Sequence, residues 1–338
     1  MEKIAIDGPR PPIGFLSSVW KGIEFVNGHP WIMVVPVFVD AFLWFGPHLS
    51  MVSLLNPVLA SLNSALATSQ LNPAAMDTLR QVVGKYNLFS LLSIIPLFPP
   101  SLMAGTAPGQ TPLGNPVVVP VANWWVCLAM APVLIALSIG IGSTYWLLAG
   151  KAAQPGKWTP RDWFGRWTRA VIVMALLGGS FLILTLAIAV PVLFIISMVG
   201  LISVDAAAIL SQLFFFLGGG FLFWVFLFFM FSIHGVILCR DGILQSIRNS
   251  VITSRWLYPL SIWIPILLIL LQYLASTVWA LAGDANWTGA VGILGNAYTS
   301  SVVVAGSMAY YIDKRRWITE IQSFLQSRGA IKTPPTGA

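Results

Sequence analysis

Hydrophobic positions along this chain fall into long unbroken runs separated by short polar clusters. The longest run, residues 206–238, holds no Asp, Glu, Lys or Arg. Nine phenylalanines crowd between Phe214 and Phe231, and the run ends abruptly at Cys239-Arg240-Asp241-Gly242. About 20 apolar residues cross a bilayer, so this stretch predicts a spanning helix, with length left over for tilt or for a kink at Gly218-Gly219-Gly220. Five further runs predict spans at 31–45, 122–148, 170–198, 256–281 and 287–312.

Between the runs, apolar positions recur at helical spacing instead. Leu16, Val19, Ile23 and Val26 line one face of 13–26, with Lys21 and Glu24 off it. Ile243, Leu244, Ile247 and Val251 do the same in 242–254, with Gln245, Arg248 and Asn249 away from them. Both patterns predict helices lying in the membrane interface, and a third is expected at 317–325. Thr159-Pro160-Arg161-Asp162 is a helix start: a hydroxyl cap, a proline in the first turn and an acid three residues on. The helix it opens carries Trp163, Phe164 and Trp167 among Arg161, Arg166 and Arg169, a mixture suited to the headgroup layer.

The long connection 48–121 predicts helices at 50–68 and 76–97. A proline-broken apolar stretch at 88–103 is expected to dip into the membrane, and a Gly/Pro/Thr-rich loop follows at 104–120. The expected fold is therefore an all-α integral membrane protein of six transmembrane helices with interfacial amphipathic helices. Its parts are a lead with one interfacial helix (1–30), the six-span domain (31–316) including the outward helical segment 48–121, and an amphipathic helix with a tail (317–338). A threefold recurrence of interfacial helix, ascending span and descending span runs through 13–149, 159–239 and 242–312.

Composition agrees with this pattern. Of 338 residues, 57% are hydrophobic and 9% charged, where soluble domains carry about 25% charged residues. The net charge of +7 does not point to nucleic acid, because the basic residues sit singly or in small groups beside apolar runs. Sixteen of the eighteen Lys and Arg fall in the N-terminal lead and in 149–169, 239–255 and 313–338. The positive-inside rule then predicts that both termini face the cytoplasm of a cell (inner) membrane, with Arg161, Arg166, Arg169, Arg248, Arg255, Arg315 and Arg316 at its surface. No cleavable signal peptide is expected, and the first span reads as an uncleaved anchor. Cys127 and Cys239 are expected near opposite faces, too far apart for a disulfide, and no metal-ligand spacing or cofactor motif occurs.

Three groups of residues are candidates for function. Asp40 is the acid inside a span, where a carboxylate costs about 2.5–3.5 kcal/mol at a helix centre and needs a partner, a proton or water. One reading makes it an ion-coupling or substrate-binding group. The other, better supported for want of a second buried acid or base, makes it a tie to Asn296, Thr299 or Ser300 of the sixth span. His234 is expected to make polar contacts among helix ends. Gly140 on the second span and Gly289, Gly292 and Gly306 on the sixth are read as close-approach positions for helix packing.

Two segments resemble a known family. Ala309-Tyr310-Tyr311-Ile312-Asp313-Lys314-Arg315 ends the last descending span. The stretch from Asp241 to Ser250 is similar to the small-residue helix that precedes the fifth span in the membrane domain of glycerophosphoryl diester phosphodiesterases and related bacterial membrane proteins. The likeness covers mainly 159–316. It implies a six-span fold and no activity, since nothing here corresponds to that family's catalytic barrel or its metal ligands, and 48–121 departs from the compact plan. The expectation for function is a non-enzymatic scaffold or accessory component that binds membrane lipids or a protein partner at the cytoplasmic face. The alternative is a small-solute or lipid transporter with a cavity near Asp40.

Overall fold

A computed structural model of the chain describes residues 9–66, 86–93, 101–105, 110–121, 123–154, 156–255 and 260–328. Ten α-helices run through these residues: α1 (Phe15–Gly28), α2 (Val34–Phe45), α3 (Val52–Leu66), α4 (Trp124–Ala153), α5 (Pro160–Gly200), α6 (Val204–Phe229), α7 (Ser232–Cys239), α8 (Ile243–Arg255), α9 (Leu260–Ala280) and α10 (Thr288–Ser327). Short 3-10 turns lie at Pro30–Met33, Leu88–Leu92 and Met103–Gly105. Among the described residues, five helical stretches are long and apolar enough to cross a membrane: α4, α5, α6 with α7, α9 and α10. The pair Phe15–Gly28 and Pro30–Phe45, bent by 95°, makes a sixth if it is one broken span. The fold is that of a multi-pass helical membrane protein.

The chain divides into two compact units. Unit 1 comprises Met1–Gly22, Ala153–Leu268 and Ala305–Ala338; unit 2 comprises Ile23–Ala152 and Ile269–Val304.

In unit 2 the straight span expected at 31–45 is replaced by a 3-10 turn and the twelve-residue α2. A helix of that length rises about 18 Å, short of the ~30 Å hydrocarbon core. Pro30 opens the turn and Gly46-Pro47 closes the helix, so the chain has no room to lengthen it. Val39, Leu43 and Trp44 of α2 pack with Met103 and Ile293, and the Trp44 indole donates to the Asp284 carbonyl at 2.7 Å. A second core gathers Leu49, Leu54, Leu88, Leu92, Val121 and Leu134. The connection also holds two three-residue strands, β1 (His48–Ser50) and β2 (Val118–Pro120), paired in parallel with His48 opposite Val118. Segments this short leave no periodicity to read. The helix expected at 50–68 appears as α3. The helix expected at 76–97 and the dip at 88–103 fall partly outside the described residues; within them, 88–92 is a 3-10 turn capped by Asn87, whose side chain accepts from the Phe89 N–H.

In unit 1 the helix-start signature is realised in full, with Thr159 and Asp162 capping each other's backbone. The interfacial helix and third span expected as separate elements are one 41-residue helix, α5, about 60 Å long. α5 packs along α6. No kink occurs at Gly218-Gly219-Gly220; the fourth run breaks at Met230-Phe231, between α6 and α7. Every residue of α7 from Ser232 to Leu238 is buried. Arg240, in the left-handed region at φ 58°, ends that helix.

On α8 Ser246, Ser250, Thr253 and Ser254 are buried, while Leu244 of its apolar stripe is 81% exposed. Hydroxyl side chains are small enough to bring α8 against backbone, and Ser250 donates to the Phe228 carbonyl at 2.7 Å. One expectation fails here: the cluster Asp313-Lys314-Arg315-Arg316 does not stop the last helix. α10 continues to Ser327 because Asp313 takes the Ile13 N–H at 2.8 Å and the Arg316 guanidinium at 2.7 Å, so its charge is met locally. The separate helix expected at 317–325 is the end of α10, with Trp317 and Ile318 buried.

Candidate functional site

Among the described residues each unit holds a buried polar cluster. In unit 2 it is built around Asp40, which α2 places with no solvent exposure. Oδ1 accepts from the Ser101 hydroxyl and from the Met103 N–H at 2.9 Å, and the carboxamide of Asn296 lies beside the carboxyl group. Asn296 is itself held: its Oδ1 accepts from Ser276 Oγ at 2.7 Å and from Gln272 Nε2 at 3.3 Å. Gln272 also donates to Ser300 Oγ at 2.8 Å. Of the three expected partners of Asp40, Asn296 alone reaches it. Thr299 instead takes the Trp279 indole N–H at 3.0 Å, and Ser300 closes on the Asn296 carbonyl at 2.6 Å. The donors on Oδ1 come from a loop some sixty residues away, which apolar periodicity does not flag. Ser101, Gln272 and Ser276 are the members of this cluster that sequence reasoning missed.

The expected close-approach glycines divide. A methyl at Gly289 would meet the Gly283 carbonyl and the Trp44 ring, and one at Gly292 the Trp279 carbonyl. At Gly306 it would lie 2.7 Å from the Ser18 carbonyl, in unit 1. Gly140 is half-buried on α4. Gly295, unmarked in the sequence, is tight as well, since a methyl there would overlap the Trp279 indole.

The unit 1 cluster surrounds α7. His234 is wholly buried, with Nε2 2.9 Å from Ser307 Oγ and Nδ1 3.3 Å from the Met230 carbonyl. At the end of the helix, Arg166 is a correction to the surface reading. It is buried, donates to the Ile237 carbonyl and stacks 4.0 Å over the Trp158 ring. A charge next to an apolar helix end is worth more as a cap on unpaired carbonyls than as a headgroup contact. Arg169 is exposed and donates to the Arg240 carbonyl at 3.1 Å, while Arg240 pairs with Asp162 at 2.9 Å. Arg161, Arg248 and Arg255 are exposed. Arg315 is partly buried, 3.6 Å from Asp241, whose Oδ2 also accepts from Asn249 at 2.8 Å. Arg316 is exposed and bridges Asp313 and Glu320. Lys314, in the cluster expected to end the last span, is wholly buried beside the Phe231 and Tyr310 rings, and no described residue accepts from its Nζ.

Cys127 and Cys239 are both free thiols. Among the described residues no group of three or more His, Cys, Asp or Glu stands together as a metal site. No protein-family model matches the chain, and neither the curated proteins nor the solved structures yield a match.

Proposed function

We propose that this protein is a non-enzymatic component of the cell membrane, a scaffold or accessory subunit whose α5–α6 hairpin holds lipid or a partner's membrane helices. One observation carries the reading. Beyond Met174 no residue of α5 is buried, and Leu227 is the sole buried residue of α6. Leu193, Phe194, Phe215 and Phe216 are all more than half exposed. An apolar surface of this extent needs hydrocarbon or protein against it. Within each unit, by contrast, buried polar groups such as Asp40 with Ser101 and His234 with Ser307 are engaged with near neighbours, as structural ties are.

The topology belongs to the same proposal: six crossings with both termini cytoplasmic. Sixteen of the eighteen Lys and Arg lie in the N-terminal lead and in 149–169, 239–255 and 313–338, a segregation along the chain that supports a cationic cytoplasmic face. The resemblance to the membrane domain of glycerophosphoryl diester phosphodiesterases enters on the same footing, as a spanning domain without chemistry of its own.

The test is photo-crosslinking from positions 194 and 215 in native membranes. Capture of lipid or of one protein in stoichiometric yield supports the reading; crosslinks to neither end it. Cysteines at 248 and 315 that react with an impermeant reagent from outside intact cells would overturn the topology.

Transport is the second reading, favoured by a buried carboxylate that no described cation pairs with. Asp40→Asn decides it. Loss of a solute-dependent phenotype at normal abundance favours transport; loss of abundance alone favours the scaffold.

A further inference from the structure

The cluster around Asp40 holds two buried acceptor oxygens that no described donor meets. Its carboxyl group is sealed from the surface. Oδ1 is saturated by the Ser101 hydroxyl and the Met103 N–H. Among the described residues no donor reaches the buried Oδ2 in hydrogen-bond geometry, and none reaches Oε1 of Gln272 in the same network. The described groups that face the carboxyl are Ser101, Leu102, Met103 and Asn296, and none carries charge.

The hydrogen bonds also have a direction. Gln272 and Ser276 donate into Asn296 Oδ1, which fixes that carboxamide next to the carboxyl group. Ser101 and Met103 donate into Asp40 from the other side. The Ser101 and Met103 dipoles thus turn their positive ends toward one carboxylate, yet neither supplies the unit charge that would neutralise it. An uncompensated carboxylate in a water-poor interior costs several kcal/mol, and the inexpensive remedies are a proton or a small cation on the open oxygen.

We propose that Asp40 Oδ2, backed by Ser101, Met103 and Asn296, is the binding point for one small monovalent cation, a proton or a sodium ion. Both use the same chemistry, an anionic oxygen on an already oriented carboxylate. They differ in what else they need. A proton requires only Oδ2. A sodium ion requires several further oxygens, of which Gln272 Oε1 and the hydroxyls of Ser276 and Ser300 are the candidates in the network. The site ties the 3-10 turn at Met103–Gly105 and α2 to the parts of α9 and α10 that belong to unit 2. Loading it would therefore tighten that whole cluster. The proposal holds whether the protein is a scaffold or a transporter.

The experiment uses the full chain in lipid nanodiscs. Infrared spectra of wild type and Asp40→Asn at neutral pH are compared for the C=O band of a protonated carboxyl. The melting midpoint of each is followed in sodium chloride and in choline chloride at equal ionic strength. A carboxyl band lost in Asp40→Asn identifies the proton. A sodium-specific rise in midpoint that Asp40→Asn loses identifies sodium. Neither signal in wild type overturns the proposal. If Asp40→Asn does not fold, Ser101→Ala replaces it, because it keeps the carboxylate and removes one donor. The band then moves to higher frequency, or the sodium concentration for half effect changes at least severalfold. An unchanged band and midpoint in Ser101→Ala overturn the site as built. Failure of the α5–α6 crosslinking leaves these measurements untouched.

Discussion

His234 Nε2 and Ser307 Oγ lie 2.9 Å apart, with the imidazole fully buried. The Met230 carbonyl, 3.3 Å from Nδ1, can only accept, so Nδ1 carries the ring proton and Nε2 accepts from the Ser307 hydroxyl. The pair is a tie between α7 and α10. Removing the donor while keeping the buried acceptor costs about 1–3 kcal/mol, whereas removing both groups costs less. Ser307→Ala is accordingly expected to lower the melting midpoint in detergent, and His234→Leu combined with Ser307→Ala to recover part of the loss. A double variant worse than the sum of the two single ones would contradict the pairing.

Arg166 joins α5 to the end of α7 by two contacts that one lysine cannot reproduce. Its guanidinium donates to the Ile237 carbonyl and lies 4.0 Å over the centroid of the Trp158 ring. Lysine offers a point charge without a planar face. Arg166→Lys should therefore lose most of what Arg166→Gln loses, on the order of 1.5–3 kcal/mol for a charged hydrogen bond. Arg161→Gln, at an exposed position of the same helix, should cost nothing measurable. Thermal denaturation of the three variants side by side checks the order.

The glycines supply a contrast within one residue type. Nothing lies within 4 Å of a methyl placed at Gly219, while at Gly306 the Ser18 carbonyl stands 2.7 Å away and at Gly295 the Trp279 ring blocks it. Gly219→Ala is expected to be neutral or to stabilise by up to about 1 kcal/mol through helix propensity. Gly295→Ala and Gly306→Ala should destabilise by about 1–3 kcal/mol as packed neighbours are forced apart. The amount of folded protein recovered from membranes separates these cases.

The sequence makes the helices legible because hydropathy over twenty residues is a strong signal: α4, α5, α6 with α7, α9 and α10 all lie where apolar runs predict them. On the short α8 the stripe with Leu244 stays out of the protein interior, where a lipid setting leaves it no need to go, and the sequence does not mark the buried row of Ser246, Ser250, Thr253 and Ser254. The charge run at Asp313-Lys314-Arg315-Arg316 looks like a helix stop, yet each charge meets a different environment within one continuous helix. For Asp40, burial and the Asn296 neighbour could be anticipated from the pattern of spans. Ser101 and Met103 could not, because loop residues carry no periodicity and their approach to α2 depends on tertiary packing.

Lys314 gives the sharpest test of that lesson. Its side chain is wholly buried, its Nζ lies 5.8 Å from the Phe231 ring and 5.6 Å from the Tyr310 ring, and no described residue accepts from it. Cation–π contact returns about 0.5–2 kcal/mol, while desolvating an ammonium group costs several. The imbalance means that the charge does not hold the helix together and the four-carbon stem does. Lys314→Met keeps the stem and drops the charge, so it should raise the melting midpoint, by the equivalent of about 1–4 kcal/mol. Arg315→Met, one residue on, removes the partner of Asp241 and should lower it. If Lys314→Met instead destabilises as much as Arg315→Met, the ammonium has an anionic partner in the membrane-embedded protein, and a bound lipid identified by mass spectrometry should be lost with it.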